Sequence, residues 1–377
     1  MSDAYMVEPD VGFIDEVAKL GGGDLKKCFQ CATCSVACPI SPENKPFPRK
    51  EMIAASWGLK DRLVGNADIW LCHNCGDCTT LCPRGAKPGD VLGAVRSYAI
   101  SEYAVPKALG KAVNDPKKLP ILLAIPILLF FVVGLLTGLL NLTPEGGEIA
   151  HAKFFSTWLV DIFFIPLQVW VVAIFALGLK NFIKDIHENA LLEGKTDKTG
   201  LDIGALIGAA IKTVITILKH DKFDECGENK DRSLPHMLVL FGFIGLFIVT
   251  AIFFFTLYVL KIHGPYSQMN PVKWLANIAG VSLVVGSTLM IKNRLAKKDE
   301  VSSFKDWALV ILAFSLGVTG MLTEITRLLG LAYTSYWIYF VHLVCVFYLV
   351  AYLPFSKLAH LVYRTTAMIY AEYSNRK

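Results

Sequence analysis

Cys28-Phe-Gln-Cys31-Ala-Thr-Cys34-Ser-Val-Ala-Cys38-Pro39 and Cys72-His-Asn-Cys75-Gly-Asp-Cys78-Thr-Thr-Leu-Cys82-Pro83 are two copies of one pattern. Together they hold eight of the ten cysteines in a chain of 377 residues. Cys226 and Cys345 stand outside both copies.

Each copy reads C-x2-C-x2-C-x3-C-P, the run found in bacterial ferredoxins. Three cysteines at two-residue gaps let one turning segment reach three corners of a cubane, and the fourth points away to ligate the other cluster. The spacing therefore predicts one [4Fe-4S] cluster on Cys28, Cys31, Cys34 and Cys82, and another on Cys72, Cys75, Cys78 and Cys38. Paired C-x2-C units also build zinc sites, but zinc has no use for the repeated third and fourth cysteine followed by proline. Disulfides fit less well, because Met1 to Asp10 is polar and acidic and carries no secretory signal. Thiolates kept for metal imply a reducing compartment.

Working outward, a hydrophobic content of 54% and a mean hydropathy of +0.48 are too apolar for an ordinary soluble protein. The net charge of +5, without interleaved basic and aromatic residues, gives no case for nucleic acid as a partner. Residues 1–110 read as a soluble, all-α domain carrying the two clusters. Phe13 to Leu20 forms a short amphipathic helix ended by Gly21-Gly22-Gly23, Pro48 opens a helix through Met52, Ile53 and Trp57, and Asp90 to Tyr103 forms another. No alternating strand pattern interrupts them, and Lys107 to Lys118 reads as a basic linker.

Residues 111–377 read as a membrane bundle of six helices, at about 120–142, 157–183, 236–262, 271–292, 304–329 and 334–360. Basic residues concentrate in the 184–234 loop, from Lys184 through Lys195, Lys198, Lys222, Lys230 and Arg232, and after Lys292 at Arg294, Lys297 and Lys298. The positive-inside rule then puts both termini and the clusters on the cytoplasmic face of the inner membrane. Trp158, Trp274, Trp307, Tyr333, Tyr336 and Trp337 suit an aromatic belt, and Lys180 and Lys261 suit snorkelling. Residues 201–219 are apolar along one face but hold Asp202 and Lys212, so an amphipathic helix on the cytoplasmic surface or under the cluster domain is expected, not a seventh span.

Among the eight histidines, His342 and His360 lie 18 residues apart, five turns of one helix if the last span is continuous. They then share a face about 27 Å apart, near the two surfaces of a bilayer core. A haem b needs an imidazole on each side of the iron. His236, at the start of the third span, pairs with His360 on the cytoplasmic side; for His342 the candidates are His151 and His263, and His151 is preferred because His263 overshoots the level of His342. His73, His187 and His220 read as interfacial side chains. Intramembrane charge adds Glu324, Arg327 and Asp161 near the outer ends of the fifth and second spans, as a quinone site or as a plain Glu324–Arg327 ion pair.

Tyr352-Leu-Pro-Phe-Ser-Lys-Leu-Ala-His360, with His342 before it, resembles the last helix of the nitrate reductase gamma-subunit family, a dihaem cytochrome b anchor. Leu234-Pro-His236 resembles that family's first ligand helix, which carries a second histidine ten residues on, where this chain has Leu246. The front domain resembles the C subunit of heterodisulfide reductase, and the fusion resembles the C-subunit family of the quinone-interacting membrane-bound oxidoreductase complex. The resemblance implies two b haems, menaquinone as substrate and two soluble flavin and iron–sulfur subunits similar to the A subunit of heterodisulfide reductase. It also implies a link to adenylylsulfate reductase in sulfate respiration. A heterodisulfide or sulfite-reduction complex is the neighbouring alternative, and a transporter or passive anchor with zinc-binding cysteines the more distant one.

Overall fold

The computed structural model describes residues 8–144, 147–219, 230–296 and 303–375. His220, Lys222, Cys226, Lys297 and Lys298 lie outside the described residues. Among those described, the chain is helical, with one isolated antiparallel bridge between Leu140 and Phe155.

The front domain is built from short helices around Phe13, Leu25, Met52, Leu63, Trp70, Leu92 and Val95. Asp10 caps its first helix, Val11–Val17, by accepting from the Phe13 amide at 2.9 Å, and Gly21 at φ 113° turns the chain as the glycine run predicts. Arg49–Ser56 and Pro88–Tyr103 are the two helices expected around them.

Six helices are long and apolar enough to cross a membrane: Pro116–Thr137, Thr157–Leu192, Ser233–Tyr258, Pro271–Ala296, Phe304–Leu328 and Ala332–Phe355. The third to sixth pack in succession. Gly242 and Gly245 bring the third against Ala279 of the fourth, and Gly317 brings the fifth against Val284. The first and second close around the sixth through Phe130, Phe155, Phe163 and Phe347. Trp158, Trp274 and Tyr333 are exposed near helix ends. Tyr336 and Trp337 instead turn inward, stacked on Phe154 and Phe131 at 5.3 and 5.9 Å.

Two spans depart from expectation for a physical reason visible in the packing. Thr157–Leu192 runs well past the expected end at 183, because its last turns are core of the front domain: Phe182 packs on Trp70, Tyr103 and Tyr363 at 5.8, 5.2 and 5.2 Å. Asn189 donates to the carbonyls of Asp61 and Gly65, and buried Asp68 pairs with Lys195 and Lys50 at 3.0 and 3.1 Å. Emptying one such aromatic position costs roughly 3–5 kcal/mol, so this joint is firmly set.

The last span is not one helix through His360. Ala332–Tyr352 ends in a 3-10 turn, Leu353–Phe355, where Pro354 lacks an amide. Ser356 is extended at ψ 173°, a second 3-10 turn covers Lys357–Ala359, and a new helix, His360–Tyr373, begins at the histidine. His342 and His360 therefore sit on separate helices, and the five-turn common face does not exist.

The expected amphipathic helix is Ile203–Lys219, and it packs against His360–Tyr373. Tyr363 meets Gly178 and Phe182 while Tyr370 meets His187, so His360–Tyr373 runs parallel to the extended second span. The Asp202 amide reaches Tyr373 and Lys212 reaches Glu372, so Ile203–Lys219 descends antiparallel to it. Ala209 and Thr213 face inward; Ile203, Ile207, Ile211, Val214, Ile215 and Leu218 form an exposed apolar stripe.

Candidate functional site

The two cysteine runs adopt the same backbone. Residues two and four beyond the first cysteine have positive φ in both: Gln30 at 60° and Ala32 at 69°, Asn74 at 55° and Gly76 at 98°. These left-handed residues wind each loop around a centre, and a single helical turn follows, Thr33–Val36 or Asp77–Thr80. The amides of Gln30 and Asn74 point at the sulfurs of Cys28 and Cys72, at 3.4 and 3.3 Å, and the Ala86 amide points at Cys82 at 3.4 Å.

The fold sorts the eight thiols into two groups. Burial pushes Cys34 up to about 11, and Cys28, Cys31 and Cys82 stand beside it. Burial pushes Cys38 up to about 12, with Cys72 and Cys75 beside it, and raises Cys78, which faces Cys72, Cys75 and Cys38 and, more weakly, Cys34 of the first group. Thiols this hard to ionise become thiolates only against metal. Cys38, Cys72, Cys75 and Cys78 line one pocket with Ile40, Phe47 and Leu92. Among the described residues, no three His, Cys, Asp or Glu side chains converge tightly enough for a single metal ion. Two loops of the ferredoxin spacing, each closed by the fourth cysteine of the other, fit [4Fe-4S] cubanes. The first group is the more open, with Cys31 exposed and its thiol lowered by the Thr33 hydroxyl at 3.3 Å.

The joint below the second group is basic. Arg96 and Arg364 donate to the Cys72 carbonyl at 3.2 and 3.4 Å, and Arg232 donates to the Asn74 carbonyl at 3.2 Å. Arg364 is four residues after His360 and Arg232 four before His236, one turn in each case. His236 lies within electrostatic reach of His360. Lys357, ion-paired with Asp306, is pushed down to about 7 by burial and by Arg294, Arg96, Arg232 and Lys305.

Hydrogen bonds fix the histidine tautomers. His360 Nδ1–H donates to the Lys357 carbonyl at 2.6 Å, and burial keeps the ring neutral, down to about 3. Thr319 donates its hydroxyl to Ser315, so it accepts from His342 Nδ1–H at 2.9 Å. Both rings thus keep a lone pair on Nε2, the arrangement a haem ligand needs. Gly320 makes room for His342, since a Cβ there would come within 3.1 Å of the ring.

His151 is different. Its Nε2 lies 2.9 Å from Ser335 Oγ, whose hydroxyl donates to the Thr323 carbonyl, so Nε2 carries the proton. Burial first, then Arg327, keeps this ring neutral, down to about 4, with His342 nearby and the Tyr339 ring tilted against it at 4.6 Å. As held, His151 offers no Nε2 lone pair to a haem. His263 is exposed, and Leu246 packs near Leu283, Ala313 and Leu316. His187 bonds Tyr370 at 2.8 Å, and Cys345 is half-buried within the sixth span.

At the far end of the bundle, Glu324 is clamped by Arg327 at 2.8 Å, by Lys273 at 3.0 Å and by Gln268. That is the structural ion pair, enlarged, and a carboxylate facing two cations is a poor proton carrier. Glu324→Gln leaves both cations without their carboxylate and is expected to destabilise the bundle by roughly 3 kcal/mol, the low end for a buried pair losing one partner. Thermal melting of the detergent-solubilised protein checks this; an unchanged midpoint with lost quinol oxidation returns Glu324 to quinone chemistry. Asp161 instead accepts from the Tyr258 hydroxyl, across the gap between the second and third spans.

Sequence reasoning missed Lys273, Tyr258, Tyr339 and the arginines Arg96, Arg232 and Arg364. Their one-turn spacing from His236 and His360 was the signal available for Arg232 and Arg364.

A six-helix bundle carrying a double cysteine loop defines a membrane protein with an iron–sulfur front domain, and residues 24–86 match the 4Fe-4S dicluster domain family. The chain is 36% identical over 119 residues to the C subunit of the H(2):CoB-CoM heterodisulfide,ferredoxin reductase of Methanothermobacter thermautotrophicus and to that of Methanothermobacter marburgensis. Each match covers 28% of this chain and 64% of the relative, just under two thirds of its length. A protein of Archaeoglobus profundus, described as like the C subunit of heterodisulfide reductase, is 34% identical over 90 residues, 24% of this chain and 48% of that one. No solved structure matches.

Proposed function

We propose that this chain is the membrane electron-transfer subunit of a quinone-dependent oxidoreductase complex, with the front domain and both termini in the cytoplasm. The observation that carries the reading is the pair of arginines, Arg232 and Arg364, each one turn from a candidate haem histidine and each bonded to the loop of the second cysteine run. Iron–sulfur clusters and haem b, when bound, supply one-electron relays.

The residues hold these groups in a line. Cys28, Cys31, Cys34 and Cys82 hold the exposed centre; Cys38, Cys72, Cys75 and Cys78 hold the one against the bundle. His236 and His360 hold haem at the cytoplasmic end, where Arg96, Arg232, Arg294 and Lys305 complement its carboxylates. His342 holds a second haem toward the outer end, and His151 becomes its partner only by releasing Ser335. Asp161, with Tyr258, is the better outer quinone candidate than Glu324. The partners are two soluble flavin and iron–sulfur subunits resembling the A subunit of heterodisulfide reductase, and beyond them adenylylsulfate reductase, with menaquinone as the membrane substrate.

A second reading, favoured by the 36% identity to heterodisulfide reductase C subunits, is a membrane branch of heterodisulfide reduction. Purified protein reduced with dithionite is expected to show b-type absorption bands, and added menaquinol is expected to reduce them. Absence of any b-type band overturns the proposal and favours a passive anchor.

A further inference from the structure

We infer that the face around Cys31 is the docking surface of an acidic, soluble one-electron carrier protein that meets the first cysteine group in transient encounters. The inference rests on the electron-transfer reading above and adds a carrier to the two flavin and iron–sulfur subunits. Of the eight cluster cysteines, Cys31 is the exposed one. Large apolar side chains stand out of the same surface: Val36 is 87% exposed, Phe29 68% and Leu81 57%. Phe29 and Val36 belong to the first run, and Leu81 follows the turn Asp77–Thr80, which packs against Thr33–Val36. Arg84, three residues past Leu81, lays its guanidinium over the Phe29 ring at 4.0 Å and so joins the two runs at this face.

The rim of the patch is cationic. Besides Arg84, Arg49 donates to the Gln30 carbonyl at 2.9 Å, and its charge reaches the Cys31 thiol. Lys26 is exposed two residues before Cys28. Asp24, the one carboxylate in the sequence from residue 24 to Cys38, is already held between Lys27 at 2.5 Å and Lys87 at 3.8 Å. A basic rim around an apolar centre complements a protein whose own rim is carboxylate.

The size of the patch points to an encounter rather than a permanent joint. Obligate interfaces are large and apolar, whereas weak redox encounters occupy the small end of the range. A few apolar side chains inside a charged rim belong to the second kind. An anionic lipid headgroup would meet the charge but has no use for a cluster ligand at the centre. One electron passes between the carrier and the centre held by Cys28, Cys31, Cys34 and Cys82; one is oxidised as the other is reduced, and no bond forms or breaks.

Fluorescence anisotropy of a labelled, oxidised flavodoxin, an acidic carrier, titrated with the full-length solubilised protein tests the surface. Binding is expected at low salt, weakening about tenfold as salt rises from roughly 10 to roughly 150 mM and the screening length falls from about 30 to about 8 Å. Lys26→Glu combined with Arg84→Glu is expected to weaken it about tenfold and to create binding of basic cytochrome c, which the wild-type chain does not bind. Val36→Glu, from the apolar centre, is expected to weaken flavodoxin binding likewise, and the visible absorbance of the iron–sulfur centres stays unchanged in both variants. A zero-length carbodiimide is expected to join flavodoxin carboxylates to Lys26. Flavodoxin binding that neither variant changes, cross-links confined to Lys107, Lys111 or Lys117, or equal binding of cytochrome c by the wild-type chain each overturns the inference. Displacement of flavodoxin by phosphatidylglycerol vesicles with no cross-link at Lys26 assigns the face to lipid and overturns it too. Menaquinol reduction of the wild-type chain reads the proposed function separately. Its absence with the Lys26 cross-link intact overturns the function alone; its presence with binding elsewhere overturns the docking surface alone.

Discussion

His360→Ala is expected to lower the haem content of the purified protein by one b-type haem per chain and to stop menaquinol from reducing the iron–sulfur centres. The proposed ligation rests on the surroundings of the imidazole. The Lys357 carbonyl holds Nδ1–H at 2.6 Å, which leaves the Nε2 lone pair open to a metal, and burial keeps the ring neutral. The extended Ser356 and the fresh helix start at His360 aim the ring into the joint rather than along the sixth span. Alanine removes the ligand but keeps the helix, since alanine is the best helix former and His360 is the first helical residue. His187→Ala is the matched control: it deletes a half-buried histidine of the same joint, one bonded to Tyr370, and is expected to keep every haem. Pyridine haemochrome quantification and rapid-mixing reduction by menaquinol read both variants. Full haem retention in His360→Ala overturns the assignment.

What could be read before the fold was known divides along a physical line. Ligand spacing within a short loop is local, because two-residue gaps dictate how a backbone winds, so the matching conformation of the two cysteine loops was legible. Apolar runs of spanning length are also local, and six were found where six stand. The failures came where tertiary contacts override a local pattern. Phe182, Ile186 and Ala190 continue an apolar helix past the membrane because the front domain covers them. The stripe from Ile203 to Leu218 has the period of an amphipathic helix, but its docking partner, His360–Tyr373, which meets its small inward residues Ala209 and Thr213, lies far away in sequence. Pro354 was visible, but a proline inside a span only kinks some helices; here Ser356 completes the break and redirects His360. The clamp on Glu324 needed Lys273 and Gln268 from a distant segment, which no spacing reveals.

The second large effect separates the two cysteine loops. Cys38→Ser is expected to deplete iron from the group of Cys72, Cys75 and Cys78, although Cys38 belongs to the other run, and Cys82→Ser to deplete the group of Cys28, Cys31 and Cys34. Each variant is expected to lose about four iron atoms per chain, one cubane. The two losses differ in consequence because the groups differ in position. The loop of Cys72 and Asn74 is bonded to Arg364 and Arg232 beside His360 and His236, whereas Cys31 of the first loop is exposed. Cys38→Ser is therefore expected to abolish reduction of the remaining iron–sulfur centre by menaquinol. Cys82→Ser keeps that reduction and instead blocks delivery to a soluble acceptor such as ferricyanide. Electron paramagnetic resonance of the dithionite-reduced proteins identifies which centre survives in each. If Cys38→Ser depletes the centre of its own run, the crossed ligation is wrong, and the order of the relay with it. If both variants lose all eight irons, each run supports the other's fold, and Cys38→Asp, which keeps an anionic ligand at the same place, is expected to restore the centre that Cys38→Ser lost.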